Sequence, residues 1–158
     1  MNLWAVPIDE SGEPTLVIES PSNETNGRFS PEGGLLAYVS DATGEREVYV
    51  QRLDGMQVAG GAQRVSVSGG THPVWRQDGG ELFFLSQGRL MAVAISTTGD
   101  TVDIGSPLEL FALGVPVEFY SPYATMPDGE RFIGIMPRSE RAGGSATVIL
   151  NWAAGRED

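Results

Sequence analysis

The chain has 158 residues, 41% of them apolar, with 21 Gly, 10 Pro, no Cys and a formal charge of −11. The length suits one globular domain, and the content of aromatic and apolar residues excludes a disordered acidic tail. Gly and Pro exceed their average usage, which indicates many turns and short elements. An all-β chain is therefore predicted.

The residue types that are missing exclude several chemistries. Without Cys there is no thiol catalysis, disulfide or thiolate metal site, and without Lys there is no Schiff base or P-loop lysine. The acidic balance disfavours nucleic acid and anionic membranes as partners. No apolar run reaches the roughly 18 residues that span a bilayer, and the first residues lack the pattern of a signal peptide. We expect no enzymatic activity, no cofactor and no metal.

An internal repeat is the most informative feature of the sequence. Three segments, 29–33, 75–79 and 125–129, read Phe-Ser-Pro-Glu-Gly, Trp-Arg-Gln-Asp-Gly and Thr-Met-Pro-Asp-Gly, and each precedes an apolar strand. Their last glycines are 46 and 50 residues apart. The predicted repeat-defining structural residues are Pro31, Gly33, Trp75, Asp78, Gly79, Pro127, Asp128 and Gly129.

Each repeat is long enough for four short antiparallel strands. A period of about 40–50 residues with four strands is typical of a β-propeller blade. Runs such as Leu-Phe-Phe-Leu at 82–85 are apolar on both faces, so both faces of the sheet should be buried. A β-sandwich is the alternative fold.

The predicted division of the single propeller segment, residues 1–158, follows the repeat. Strands are expected at 35–40, 48–53 and 63–68 in the first complete blade, and helix content should be close to nil. The predicted units are the outer strands of a partial blade (1–20), a blade (21–70), a second blade (71–113) and a partial blade (114–158).

At these residues the chain resembles the TolB-like β-propeller repeat family. The first copy carries the motif in 29–33, 37–41, Gly44 and 47–50, with Glu32 where the family has Asp. The second copy, in 73–79, 81–84 and 89–93, is similar to a penultimate blade. The ending 147–152 looks like the last strand of propellers at the C-termini of bacterial sensor proteins, including transmembrane Ser/Thr kinases. The resemblance implies an all-β propeller with periplasmic or extracellular placement.

Few residues suggest a site. The single histidine, His72, is predicted at the start of an innermost strand, where it is a weak candidate for the channel rim, although a lone His more often serves a loop hydrogen bond. The turn acids Asp41, Asp54, Asp78 and Asp128 are explained by hydrogen bonds to turn backbone rather than by metal binding. The tryptophans Trp4, Trp75 and Trp152 are expected in the core.

The predicted function is that of a non-catalytic binding, sensing or protein-interaction module. Loops at one end of the ring would contact a protein or a small polar ligand, and the acidic charge would favour cationic or polar partners. One alternative is the substrate-gating propeller of a prolyl-oligopeptidase-type hydrolase. Another is a purely structural, self-assembling propeller.

The repeat also predicts an assembly. About three blade equivalents do not close a ring of four to eight blades, so the chain is expected either to be a fragment or to associate. We predict a two-fold homodimer of six blades, in which the strand at 15–18 of one subunit completes the sheet that ends with 147–152 of the other. Light scattering should give the mass of two chains. The mass of one chain in dilute solution would contradict the dimer.

Overall fold

Antiparallel β-strands form all of the regular structure in the computed structural model, which describes residues 1–8, 12–113 and 122–135. No helix occurs in those ranges, and so none there is long and apolar enough to cross a membrane. The strands are β1 Leu3–Ala5, β2 Thr15–Ile18, β3 Glu24–Phe29, β4 Leu35–Ser40, β5 Glu47–Asp54, β6 Gln57–Val58, β7 Gln63–Arg64, β8 Thr71–Trp75, β9 Glu81–Ser86, β10 Arg89–Thr98, β11 Thr101–Ile104, β12 Leu108–Ala112, β13 Tyr123–Thr125 and β14 Phe132–Gly134. The all-β prediction is confirmed.

Two sheets of the same topology form the centre of the fold. In the first blade, β3, β4, β5 and β7 are successive antiparallel neighbours, and in the second blade β8, β9, β10 and β12 have the same order. A two-stranded hairpin, β1–β2, precedes them, and a pair, β13–β14, follows. The expected strand at 147–152, and with it the proposed closure, lies outside the described residues.

Two additional strands, β6 and β11, were not predicted from the sequence. Each pairs with the far end of the third strand of its blade, β6 with β5 and β11 with β10. The turns that produce them contain Gly55 at φ 59° and Gly99 at φ 59°, a backbone conformation typical of tight hairpin turns. Each blade therefore has a small secondary hairpin beside its fourth strand.

The fourth strand of the first blade is shorter than predicted. The expectation was a strand over 63–68, but β7 covers only Gln63–Arg64. The amides of Val65 and Ser66 both donate to the carbonyl of Val48, and the Ser66 hydroxyl accepts from the Val48 amide at 2.7 Å. A side chain thus replaces a backbone partner, and the regular ladder ends there.

Alternating side chains of each blade enter different hydrophobic clusters. Leu35, Ala37 and Val39 of β4 join a cluster shared with Leu82 and Phe84 of β9, between the two blades. The opposite face of the first blade packs on the β1–β2 hairpin, and that of the second blade packs on β13–β14. The prediction that both faces are buried is confirmed by strand β9, where 82–85 are at most 1% exposed.

Trp4 departs from the expected core placement. Leu3 and Ala5 pack against the first blade, so the alternation along β1 turns Trp4 to the other face of the hairpin. No described sheet covers that face, and Trp4 is 56% exposed. Trp75 is buried as predicted, whereas Trp152 lies outside the described residues.

The three repeat segments form the same turn. In each one the last glycine donates to the carbonyl three residues earlier, and Gly33, Gly79 and Gly129 have φ values of 80°, 75° and 73°. The backbone amide of the first turn residue donates to the carbonyl five residues later, as that of Ser30 does to Leu35 at 2.8 Å. The left-handed backbone explains why each copy has glycine at this position.

The turn glycines differ in surroundings, which allows a test of stability. A Cβ at Gly33 meets nothing within 4 Å, so Gly33→Ala should cost only the backbone strain, about 1 kcal/mol. A Cβ at Gly129 would lie 2.6 Å from Cδ of Arg76 and 3.2 Å from Cζ of Phe83, so Gly129→Ala should cost more, about 2–3 kcal/mol. Urea unfolding, monitored by Trp fluorescence, measures the free energy of unfolding of both variants.

Gly34→Ala is the matched control, because Gly34 is outside the positive-φ region and has open space around it. It should change the free energy of unfolding by less than about 0.5 kcal/mol. Equal losses at Gly33 and Gly129 would show that the close approach of Arg76 to the third turn is wrong.

Candidate functional site

The three repeat turns lie next to each other on one end of the strand stack. We call this surface the turn face, and it comprises residues 30–34, 76–80 and 126–130. A Cβ at Gly79 would lie 2.7 Å from a carboxylate oxygen of Glu32, and one at Gly129 would lie against Arg76. The first and second turns thus each place a side chain over the glycine of the next turn, which brings the three turns into contact.

An ion-pair network stiffens the second turn. Arg76 donates through Nε to Asp78 at 2.7 Å and through a terminal nitrogen to the buried Glu81 at 2.8 Å. Asp78 also accepts from the Gly80 amide at 2.9 Å. The hydrogen bond from Arg76, followed by that from Gly80, lowers the pKa of Asp78, which is therefore ionised at neutral pH.

The third turn repeats this arrangement with a different arginine. Asp128 accepts from the Glu130 amide at 3.0 Å and from Arg131 at 3.2 Å. The backbone hydrogen bond from Glu130 is the main cause of a lowered pKa of Asp128. Glu32 of the first turn is a longer acid and reaches the neighbouring turn instead.

Shallow grooves separate the turns. The groove between the second and third turns has a volume of about 640 Å³ and is lined by Arg76, Gln77, Asp78, Pro127 and Asp128. The groove between the first and second turns is smaller, about 230 Å³, and includes Glu32 and Asp78. The structure therefore brings Asp78, Pro127 and Asp128 together, while Pro31 is exposed in the first turn.

Trp75 and His72 both lie on strand β8. The indole nitrogen of Trp75 donates to the carbonyl of Arg28 at 3.0 Å and so links the first strands of the two blades. His72 has φ 55° within an irregular part of β8, and its ring nitrogen Nδ1 is 3.0 Å from the Thr71 hydroxyl. Asn26 has φ 54° in a similar irregularity of β3, which is 46 residues earlier.

The main chain of His72 has a further structural contact. The hydroxyl of Tyr123 donates to the His72 carbonyl at 2.7 Å, and burial raises the pKa of Tyr123, which remains a neutral phenol. This bond ties β13 to the second blade. A role of His72 at a channel rim stays a prediction.

The acids in turns were expected to bond to turn backbone. Asp78 and Asp128 do so, whereas Asp41 accepts from the backbone and side-chain nitrogens of Asn23 at 2.8 and 2.7 Å and thereby holds the preceding loop. Asp54 ends β5 and pairs with Gln57 in the secondary hairpin. Within the described residues no three acidic or His side chains form a group that could hold a metal ion.

A second cavity lies away from the turn face, between strand β2 and the first blade. This lateral cleft has a volume of about 480 Å³, in the range of small-molecule sites. It is lined by apolar side chains of β2 and β6 and by Tyr38 and Tyr49, whose rings stack with centroids 5.8 Å apart. The polar residues in its wall include Glu24, Ser40 and Gln51.

Glu24 has an unusual environment in this cleft. Glu24 is only 3% exposed, and its Oε1 accepts hydrogen bonds from the hydroxyls of Ser20 and Ser40. Its second oxygen, Oε2, is buried and has no hydrogen-bond partner among the described residues. Sequence reasoning missed Glu24, because β3 shows no apolar alternation and the neighbours of Glu24 come from a loop and another strand.

No protein-family model and no curated protein matches the chain. Among solved structures it is similar to a TolB candidate from Agrobacterium tumefaciens, with 20% identity and a TM-score of 0.47 over 70% of this chain and 42% of that one. It is also similar to TolB from Acinetobacter baumannii, with 16% identity and a TM-score of 0.42 over 82% of this chain and 41% of that one.

Both are TolB structures, the family that the repeat resembles in sequence. The chain spans less than half the length of either structure.

Two buried glutamates allow a test of the electrostatics. Glu81→Gln removes the charge that Arg76 pairs with and should lower the free energy of unfolding by about 2 kcal/mol. Glu24→Gln removes a buried charge without a cationic partner, so its melting temperature should equal or exceed that of the wild type. Thermal unfolding by circular dichroism compares them, and a larger loss for Glu24→Gln would contradict the assignment.

Proposed function

We propose that the chain is a non-catalytic, propeller-type binding module that contacts a protein or a small polar ligand through the turn face. The observation that supports this most directly is the contact between successive turns, in which Glu32 covers Gly79 and Arg76 covers Gly129. Loops that are held together by a rigid β-scaffold suit recognition, because little conformational entropy is lost on binding.

The charges of the turn face favour a binding role over proton transfer. Asp78 and Asp128 have lowered pKa values, which moves them away from the near-neutral range of an efficient general acid or base. As ionised acceptors they suit cationic or polar groups instead. The net charge of −11 adds attraction for such partners at a distance.

Placement in the periplasm or outside the cell, which the sequence resemblance implies, belongs to the same proposal. So does the use of the module for sensing within a larger bacterial protein.

Self-association is a second candidate function, and exposed apolar residues favour it. Trp4 and Val6 on the β1–β2 hairpin are 56% and 69% exposed, and Ile133 and Ile135 at the other end of the stack are 74% and 46% exposed. Exposed apolar side chains at both ends of a strand stack suit the proposed homodimer, since its two copies would cover them.

Binding at the turn face can be tested with fluorescent peptides of equal length and opposite charge. A basic peptide should bind more tightly than an acidic one in fluorescence anisotropy. The double variant Glu32→Gln, Asp128→Asn should weaken binding of the basic peptide about tenfold, because two rim charges contribute about 1–2 kcal/mol together. Asn can still accept the turn hydrogen bond at position 128.

The control removes the same charge elsewhere. Glu45 lies between β4 and β5 and Glu109 lies on β12, both exposed and outside the turn face. The double variant Glu45→Gln, Glu109→Gln should bind the basic peptide within about twofold of the wild type, at matched salt concentration. Equal weakening by the two double variants would show that net charge alone attracts the peptide and would overturn the turn face as the site.

A further inference from the structure

The three buried glutamates of the described residues differ in their hydrogen-bond and ion-pair partners. Glu81 forms an ion pair with Arg76, and Glu47 accepts from the Ser66 hydroxyl. Glu24 accepts two serine hydroxyls at one oxygen, while the other is buried without a partner in the described part of the chain. None of the ion pairs there includes Glu24.

A buried carboxylate with an unused oxygen is costly, and native proteins usually supply a partner for such a group. Glu24 differs from a simple packing defect in one respect: it lines a cleft of about 480 Å³ rather than a filled core. Oε2 itself is closed off from solvent, so a donor in the cleft reaches it once a neighbouring side chain of the wall moves aside.

We propose that the lateral cleft is a binding site for a protonated alkyl amine, whose ammonium group donates to Oε2 of Glu24. An ammonium group supplies both the missing hydrogen-bond donor and the missing positive charge. The site is distinct from the turn face, and the proposal does not depend on the function proposed for that surface.

The aromatic wall supports a cationic ligand. Tyr38 and Tyr49 both line the cleft, and their rings stack with 23° between the planes. Aromatic rings attract organic cations through their negative faces. Burial, and then the negative charge of Glu24, raises the pKa of Tyr38 to about 12, so Tyr38 remains a neutral phenol beside that charge.

The remaining wall explains why the cation should be organic. Leu16, Ile18 and Val58 line the cleft, and apolar side chains of this kind suit an alkyl chain. Glu19 also lines the cleft, and as an exposed acid it adds negative potential to it. A divalent metal ion would require more oxygen ligands, and no three acidic or His side chains of the described residues are placed so that they could hold one.

Isothermal titration calorimetry with n-butylamine at neutral pH tests the proposal, and n-butanol is the uncharged counterpart of similar size. The wild-type chain should bind butylamine and should bind butanol at least about tenfold more weakly. A blocked lysine, Nα-acetyl-lysine N-methylamide, separates two sources of the same group. Tighter binding of the blocked lysine would indicate a lysine side chain of a partner, and tighter binding of butylamine would indicate a free amine.

Two pairs of variants give the decisive comparison. Glu24→Gln should weaken the binding of butylamine at least about tenfold. Glu47 is a buried glutamate of the same blade that does not line the cleft, so Glu47→Gln should leave the affinity for butylamine unchanged. If Glu24→Gln does not fold, Tyr49→Leu should weaken binding and Tyr49→Phe should retain it. Absence of butylamine binding to the wild type, equal affinity for butanol, or full affinity in Glu24→Gln would overturn the proposal.

Discussion

The burial of both faces of each blade is the constraint on which the rest of the structure depends. In strand β9, Leu82 and Phe84 point to one neighbouring sheet and Phe83 and Leu85 to the other, and all four are almost completely buried. Each such side chain contributes about 1.5–3 kcal/mol when it is fully removed from water. A sheet of this kind is stable only between two others, so the units must stack. The same requirement explains why apolar side chains remain exposed at the ends of the described stack, on β1 and β14.

Close stacking also determines how polar groups enter the interior. The blades bury three glutamates, and the described structure supplies an arginine for Glu81, a serine for Glu47 and two serines for one oxygen of Glu24. The first arrangement stiffens the turn face, because Arg76 joins the buried Glu81 to the exposed Asp78. The last leaves a charge beside an open cleft. The chain itself thus supplies partners for the buried carboxylates Glu81 and Glu47, whereas one oxygen of Glu24 is left for a ligand.

The two candidate sites use different properties of the fold. The turn face arises from repetition, since equivalent turns of successive sheets come into contact and present ionised Asp78 and Asp128 side by side. The lateral cleft arises where repetition is broken, between the two-stranded β1–β2 hairpin and a complete blade. An acidic molecule with both features is suited to recognition of cationic groups, at the turn face in one case and in the lateral cleft in the other.

The sequence by itself determined the strand class, the repeat and the turns. Strand β4 could be predicted to the residue because an apolar run begins just after a turn glycine whose positive φ few other residues adopt. The sequence alone could not show that β7 would end at Arg64, that β1 would turn Trp4 outward, or that Asp41 would bind Asn23. These outcomes depend on partners far along the chain. Glu24 illustrates the limit most clearly. Local sequence describes a polar strand, and only the tertiary structure buries that carboxylate, supplies hydroxyls to one oxygen and leaves the other facing no partner in the described chain. Turn chemistry is local and can be recognised from residue types, whereas the cost of a buried charge depends on which distant groups surround it.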